Sequence, residues 1–135
     1  MKVEMLQAAV DLAKNLIHIF VATTDSEGMP HVAVAAKIVL ASENQVAVQE
    51  WFCPGTVQNV SENPSIAIVV WDAENDKGYQ LLGVTENIKE LAVLDGYAQG
   101  IDDKIQLPQV ERQLLIRVNR ILEFTHRPHT DVEVC

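Results

Sequence analysis

The chain has 135 residues, 48% of them hydrophobic, which is enough for one domain, spanning 1–135, whose core needs no covalent staples. Lys and Arg total 10 against 19 for Asp and Glu, a formal net charge of -9 that opposes the counterion release behind nucleic-acid affinity, so DNA, RNA and anionic membranes are set aside as partners. Cys53 and Cys135 fall short of a secreted disulfide framework, no apolar run is long enough to span a bilayer, and charges interrupt every candidate leader, so a reducing cytoplasm is the expected setting.

Val3, Leu6, Val10, Ala13 and Ile17 recur at helical spacing with Glu4, Gln7, Asp11 and Lys14 between them, which predicts an opening amphipathic helix that ends near Asn15. "IHIFVATTD" is rich in β-branched and aromatic residues and runs into "SEGMP", where Gly28 and Pro30 signal a turn, so a first hairpin is expected. "HVAVAAKIVLA" reads as one long second strand and "SEN" as its turn. In "QVAVQEWF", a third strand, Val46, Val48 and Glu50 alternate with Ala47, Gln49 and Trp51.

Pro54 and Gly55 then break the ladder. Thr56 to Asn63 fits about two turns of helix, and Pro64 steers Asn63 out of the helical region and stops it. "SIAIVVW" is apolar on both faces, as a central strand should be; "DAENDKG" supplies a hairpin turn, and "YQLLGVTENI" a fifth strand. Residues 90–101 read as a weak helix, because Gly96 and Gly100 each cost about 1 kcal/mol relative to Ala. "RQLLIRVNRILEF" forms a sixth strand with Leu114, Ile116, Val118, Leu122 and Phe124 on one face, and "THRPHTDVEVC" follows as a solvated tail. Six strands with two or three short helices predict a mainly β, α+β domain built as an antiparallel barrel rather than from βαβ units.

Chemistry-bearing clusters are sparse. His126 and His129 lack a second paired set at zinc spacing, and Asp72, Glu74 and Asp76 imitate a calcium loop whose glycine and bidentate glutamate positions hold Lys77 and Gly83, so no metal site is expected. Cys53 stands among Trp51, Phe52 and Pro54 with no cation beside it to lower its pKa and reads as an inert thiol, while Asp102 and Asp103 read as solvated charge. No catalytic side chain is assigned. The start of the helix at Thr56 is more informative, because its unpaired N–H groups and positive dipole end suit a phosphate. Thr56 either caps that helix, worth about 1 kcal/mol, or offers its hydroxyl to the anion, and local chemistry leaves both open.

The succession of "DSEGMPHVAV", a strand ending in "EWF", "TVQNVSENPSIAIVVWD" and "GYQLLG" resembles the FMN-binding split-barrel proteins related to pyridoxamine 5'-phosphate oxidase, over about Ile17 to Ile88 and again at the final strand. The resemblance implies a six-stranded antiparallel split β-barrel, an obligate homodimer, and FMN in a groove between subunits with its phosphate near the short helix. It implies Thr56 as a phosphate-binding position, Lys37 on or next to a basic strand position, and Gln49, Glu50, Trp51 and Pro54 running beside the isoalloxazine ring. Gly55 would permit close approach of the phosphate to the backbone, and Gln80 lies near a polar position of the fifth strand.

Many relatives carry Lys or Arg just ahead of that helix, whereas this chain has Gly55 there and no Lys or Arg from Ile38 to Asp76. Positive charge would have to come from Lys37, or from Arg112, Arg117 or Arg120 reaching in from elsewhere in the dimer. The expectation is an FMN flavoprotein in electron or hydride transfer with a small-molecule or protein redox partner, and not pyridoxamine phosphate oxidation itself. The alternative is a non-catalytic dimer that has lost flavin; a third reading is another cofactor, a deazaflavin or a haem held by His18 or His31.

Overall fold

The structure, a computed structural model, describes residues 3–51, 53–94 and 109–135. These form two helices, α1 (Val3–Ala13) and α2 (Pro54–Glu62), and seven strands. The strands are β1 (Ile19–Thr24), β2 (Pro30–Ala35), β3 (Lys37–Ser42), β4 (Gln45–Trp51), β5 (Ser65–Asp72), β6 (Lys77–Leu94) and β7 (Gln109–Glu123). They make a single antiparallel sheet in the order β2-β1-β5-β6-β7-β4-β3.

Seven strands replace the expected six because the long second strand breaks at Ala36. Upstream of the break, Val32 and Val34 pair with Ala22 and Phe20 of β1, while downstream Lys37 and Ile38 pair with Gln49 and Val48 of β4. The two edge strands of the sheet are therefore consecutive in the chain. The sheet coils until its edges meet at this corner, where the Ala36 N–H donates to the Gln49 carbonyl at 3.2 Å. No ladder pairs β2 with β3, so the sheet is open rather than a closed barrel.

Alternation decides the inside of the coil. Ile19 and Val21 of β1, Val46 and Val48 of β4, Ile66, Ile68 and Val70 of β5, and Leu114 and Ile116 of β7 are all buried, as period-two strands with one covered face require. Helix α1 adds Leu6, Ala9, Val10 and Ala13 to the same core. It ends before Ile17, which is 83% exposed rather than part of the helical face.

The last strand keeps its expected face only as far as Val118. Between Leu82 and Gly83 the β6–β7 register shifts, pairing Leu82 with Arg120 but Gly83 with Val118. The bulge at Asn119 reverses the alternation, so Ile121 is buried in place of Leu122 and Phe124. Residues 90–94 continue β6 instead of turning helical, and the rest of that expected helix lies outside the described residues. The C-terminal segment is not a free tail. Val134 N–H donates to the Ile121 carbonyl at 2.8 Å, and Asp76 accepts the N–H groups of His126 and Arg127, each at 2.7 Å.

Candidate functional site

The corner where β2 gives way to β3 also receives α2. That helix starts at Pro54, two residues earlier than the sequence pattern suggests, because proline's fixed φ and missing N–H suit the first helical position. Cys53 is the N-cap and makes no side-chain cap hydrogen bond, so Thr56 belongs to the first turn and is not the cap. The Asn63 N–H closes the helix on the Asn59 carbonyl at 2.7 Å.

Helix α2 is fixed by two amide-to-hydroxyl bonds to β1: Asn59 Nδ2 to Thr23 Oγ1 at 3.0 Å, and Asn63 Nδ2 to Thr24 Oγ1 at 2.7 Å. This docking presses the first turn against the inner side of β1 and β2. Thr56 is only 1% exposed, and its hydroxyl lies in a narrow crevice lined by Val21, Ala33, Val34, Ala35, Cys53 and Leu114. Its Oγ1 is buried with no hydrogen-bond partner. Leaving a buried hydroxyl unmatched costs about 1–3 kcal/mol, so its presence calls for an explanation.

His31 is brought here without any sequence signal. It pairs with Thr23 across β1–β2, the same threonine that anchors Asn59, and its imidazole lies over the helix start. A Cβ built on Gly55 would stand 3.0 Å from His31 Nε2, so the glycine is what lets the ring approach the first turn.

The other candidates separate into two groups. Lys37 and Gln49 are register partners at the corner, and Gln113 of β7 continues the row. Glu50 and Trp51 follow Gln49 in β4, opposite Arg112 and Glu111; their backbone positions are described, their side chains are not. Pro54, Gly55 and Thr56 come next along the chain. Gln80 is remote from all of these, pairing with Val69 and Leu122 and lining a separate cavity of about 430 Å³ with Phe124, Thr125, His129 and Asp131. From Gln113 to Leu122 along β7 is about 30 Å at ~3.3 Å per residue, so one chain cannot bring Gln80 to the corner.

Arg112 is the one corner arginine that the sequence could name only as an option. It stands in the row Glu50–Arg112–Glu90 across β4, β7 and β6, and its Nη1 is buried without a hydrogen-bond partner. Among the described residues no group of three or more His, Cys, Asp or Glu is placed to hold a metal ion. The chemistry available at the corner is that of donors lacking an acceptor: a hydroxyl, a guanidinium N–H and the amides of a helix start. By charge these donors suit an anionic group such as a phosphate, but the crevice around Thr56 Oγ1 has no room for even a water molecule.

On the opposite side of the sheet, β2, β1 and β5 turn an apolar face outward. The rows Val34–Phe20–Val69 and Val32–Ala22–Ala67 run across it, with Phe20 43%, Val34 49% and Val32 64% exposed. A groove of about 400 Å³ crosses this face, lined by Ala22, Ala67 and Leu82 together with Thr24, Ser65 and Arg120.

Together these features define an antiparallel coiled-sheet domain with a helix N-terminus at the meeting of its two edges. The family model described as pyridoxamine 5'-phosphate oxidase matches residues 5–119, and the chain belongs to that family. An uncharacterized protein of Methanocaldococcus jannaschii is 32% identical over 90 residues, covering 65% of this chain and 59% of that one. This chain thus spans less than two thirds of that relative's length.

Solved structures share the fold. HupZ of Group A Streptococcus superposes with a TM-score of 0.63 at 23% identity, covering 93% of this chain and 97% of that one. A structure named as an FMN-binding protein from Syntrophomonas wolfei subsp. wolfei gives a TM-score of 0.63 at 17% identity, covering 90% and 87%.

Proposed function

We propose that this protein is a homodimeric FMN-binding flavoprotein of the cytoplasm, acting in electron or hydride transfer. Two copies pack through the outer apolar face of β2, β1 and β5, burying Phe20, Val32 and Val34, and FMN lies in the groove between them. Lys37, the amides of Gly55 and Thr56 and the Thr56 hydroxyl hold its phosphate, with Gln49, Glu50, Trp51 and Pro54 beside the ring. Gln80 serves the same ligand only if the second copy supplies it, which its distance from Gln49 along β7 requires.

The observation that carries this reading is Thr56 Oγ1, a buried hydroxyl without a partner in the first turn of α2. Family membership and a neighbour named for FMN binding support the choice of anion. Bound FMN supplies the redox chemistry, and the chain binds, orients and electrostatically tunes it.

Titration with FMN is the test. The protein should bind it saturably, and at 100 times the dissociation constant the folded state should gain about 2.7 kcal/mol. A colourless protein with no thermal shift would leave the second reading, a split-barrel dimer that has lost flavin or takes another ligand. That reading is favoured by one specific feature, the absence of Lys and Arg from Ile38 to Asp76. A chain that stays monomeric in solution removes both.

A further inference from the structure

We propose that a cavity between the β6–β7 ladder and the C-terminal turn is a binding site for a free α-amino acid, held by both of its charges. The flavin reading makes no use of this cavity, which lies at the end of β7 remote from the corner that receives α2.

The cavity has a volume of about 260 Å³ and is lined by Lys77, Tyr79, Glu123, Thr125, Arg127 and Thr130. Register explains how these side chains meet. Tyr79 pairs with Glu123 across β6–β7, and the Phe124 N–H donates to the Gly78 carbonyl at 3.0 Å, so Lys77 and Thr125 come next on the same face. Backbone forms the floor at Gly78, where an added Cβ would stand 2.6 Å from the Val70 carbonyl oxygen and 2.7 Å from that of Phe124. Glycine lets the neighbouring strands close there.

The roof is tied down as well. Asp76 accepts the N–H groups of His126 and Arg127, Thr125 Oγ1 donates to the Pro128 carbonyl at 2.7 Å, and Thr125 bridges to Thr130. The Glu123 N–H donates to the Val132 carbonyl at 2.9 Å, which holds the returning chain against β7. Walls fixed before binding leave less ordering to be done when the site fills.

Charge then defines the ligand. Lys77 and Arg127 bring two cations to the cavity and the half-buried Glu123 brings a carboxylate, yet among the described residues none of the three forms an ion pair. Elsewhere on β7, Arg117 and Arg120 close on Glu86 and Glu133. An anion alone would meet the Glu123 carboxylate, and a cation alone would meet Lys77 and Arg127. A molecule carrying a carboxylate and an ammonium on one carbon answers both signs with charge-assisted hydrogen bonds. The volume is below the range of about 300–1,000 Å³ typical of pockets for drug-sized ligands, which suits a ligand of this size. Tyr79 and Pro128 offer apolar surface to its side chain.

The experiment titrates three probes that share a carbon skeleton: L-leucine, isocaproate, which lacks the amine, and isoamylamine, which lacks the carboxylate. Binding is read from amide shifts by heteronuclear NMR. L-leucine should bind saturably, with shifts gathered on residues 77–79 and 123–130, and each singly charged probe should bind at least about ten-fold more weakly, as loss of a charge-assisted hydrogen bond predicts. Glu123→Gln should weaken L-leucine by a similar factor without weakening isocaproate. Arg127→Gln should weaken both of these and leave isoamylamine unweakened.

A merely structural defect would lower the affinity of all three probes alike, so the opposite responses of the two variants carry the proposal. It is overturned by equal losses for every probe, by isocaproate binding as tightly as L-leucine, by shifts that gather elsewhere, or by the absence of saturable L-leucine binding. FMN affinity should be the same in both variants as in the wild type, whichever of these outcomes is found.

Discussion

Asn59 donates its side-chain amide to the hydroxyl of Thr23 across 3.0 Å, with both side chains buried. This bond ties α2 to β1 and sets where the first turn lies. Asn59→Ala leaves the Thr23 hydroxyl without that donor and removes packing, so unfolding stability should fall by about 1–3 kcal/mol. Chemical denaturation measures that loss, and a value within about 0.5 kcal/mol of wild type would show that the bond does not position the helix.

Thr56→Val removes a hydroxyl that has no partner and keeps the side chain's shape. The ligand-free protein should become more stable by about 1 kcal/mol, while affinity for FMN falls several-fold. Differential scanning calorimetry and FMN titration read the two effects separately; a variant gaining stability with unchanged FMN affinity takes the hydroxyl out of the site.

Gly83 lies where a Cβ would come within 2.0 Å of the Arg117 carbonyl oxygen, beside the β6–β7 bulge. Neither backbone can yield without breaking the ladder. Gly83→Ala should therefore cost more than about 3 kcal/mol, and a variant melting close to wild type would mean that the two strands separate easily here.

Asp76 holds the C-terminal turn. Its carboxylate accepts the N–H groups of His126 and Arg127 and the Trp71 indole N–H, and the backbone bond from His126 is the chief cause of a pKa below the ordinary 3.8. A depressed folded-state pKa means that this stabilisation is fully present above the unfolded value and is lost as pH falls through the lowered one. The protection of the His126 and Arg127 amides, measured against their intrinsic exchange at the same pH, should fall as pH drops below the ordinary carboxylate range, and should already be reduced at neutral pH in Asp76→Asn. Protection that persists in that variant would show that other contacts hold the turn.

Phe20→Glu places a charge in the centre of the exposed Val34–Phe20–Val69 row. If this face joins two copies, light scattering should report a monomer at concentrations where the wild type is a dimer, with unchanged far-UV circular dichroism. An unchanged molecular mass would assign the face to another role.

Local chemistry made much of this protein legible in the sequence. Alternation in "QVAVQEWF" marked β4, the two-sided apolar run "SIAIVVW" marked β5 as central, and Pro64 marked the exit from α2, because each depends on neighbours within a few residues. The element order was also enough to carry the family resemblance. What only the tertiary structure decided was pairing: that Ala36 divides one apparent strand between two partners, that a bulge at Asn119 reverses the face of β7, and that α2 begins at Pro54. The same holds for the site. His31 and the first turn at Thr56 are far apart in the chain, and no local pattern joins them, because their proximity is set by hydrogen-bond register across the sheet and by the docking of one helix onto β1. Side-chain spacing reports which face a residue occupies, whereas the coil of the sheet determines which faces meet.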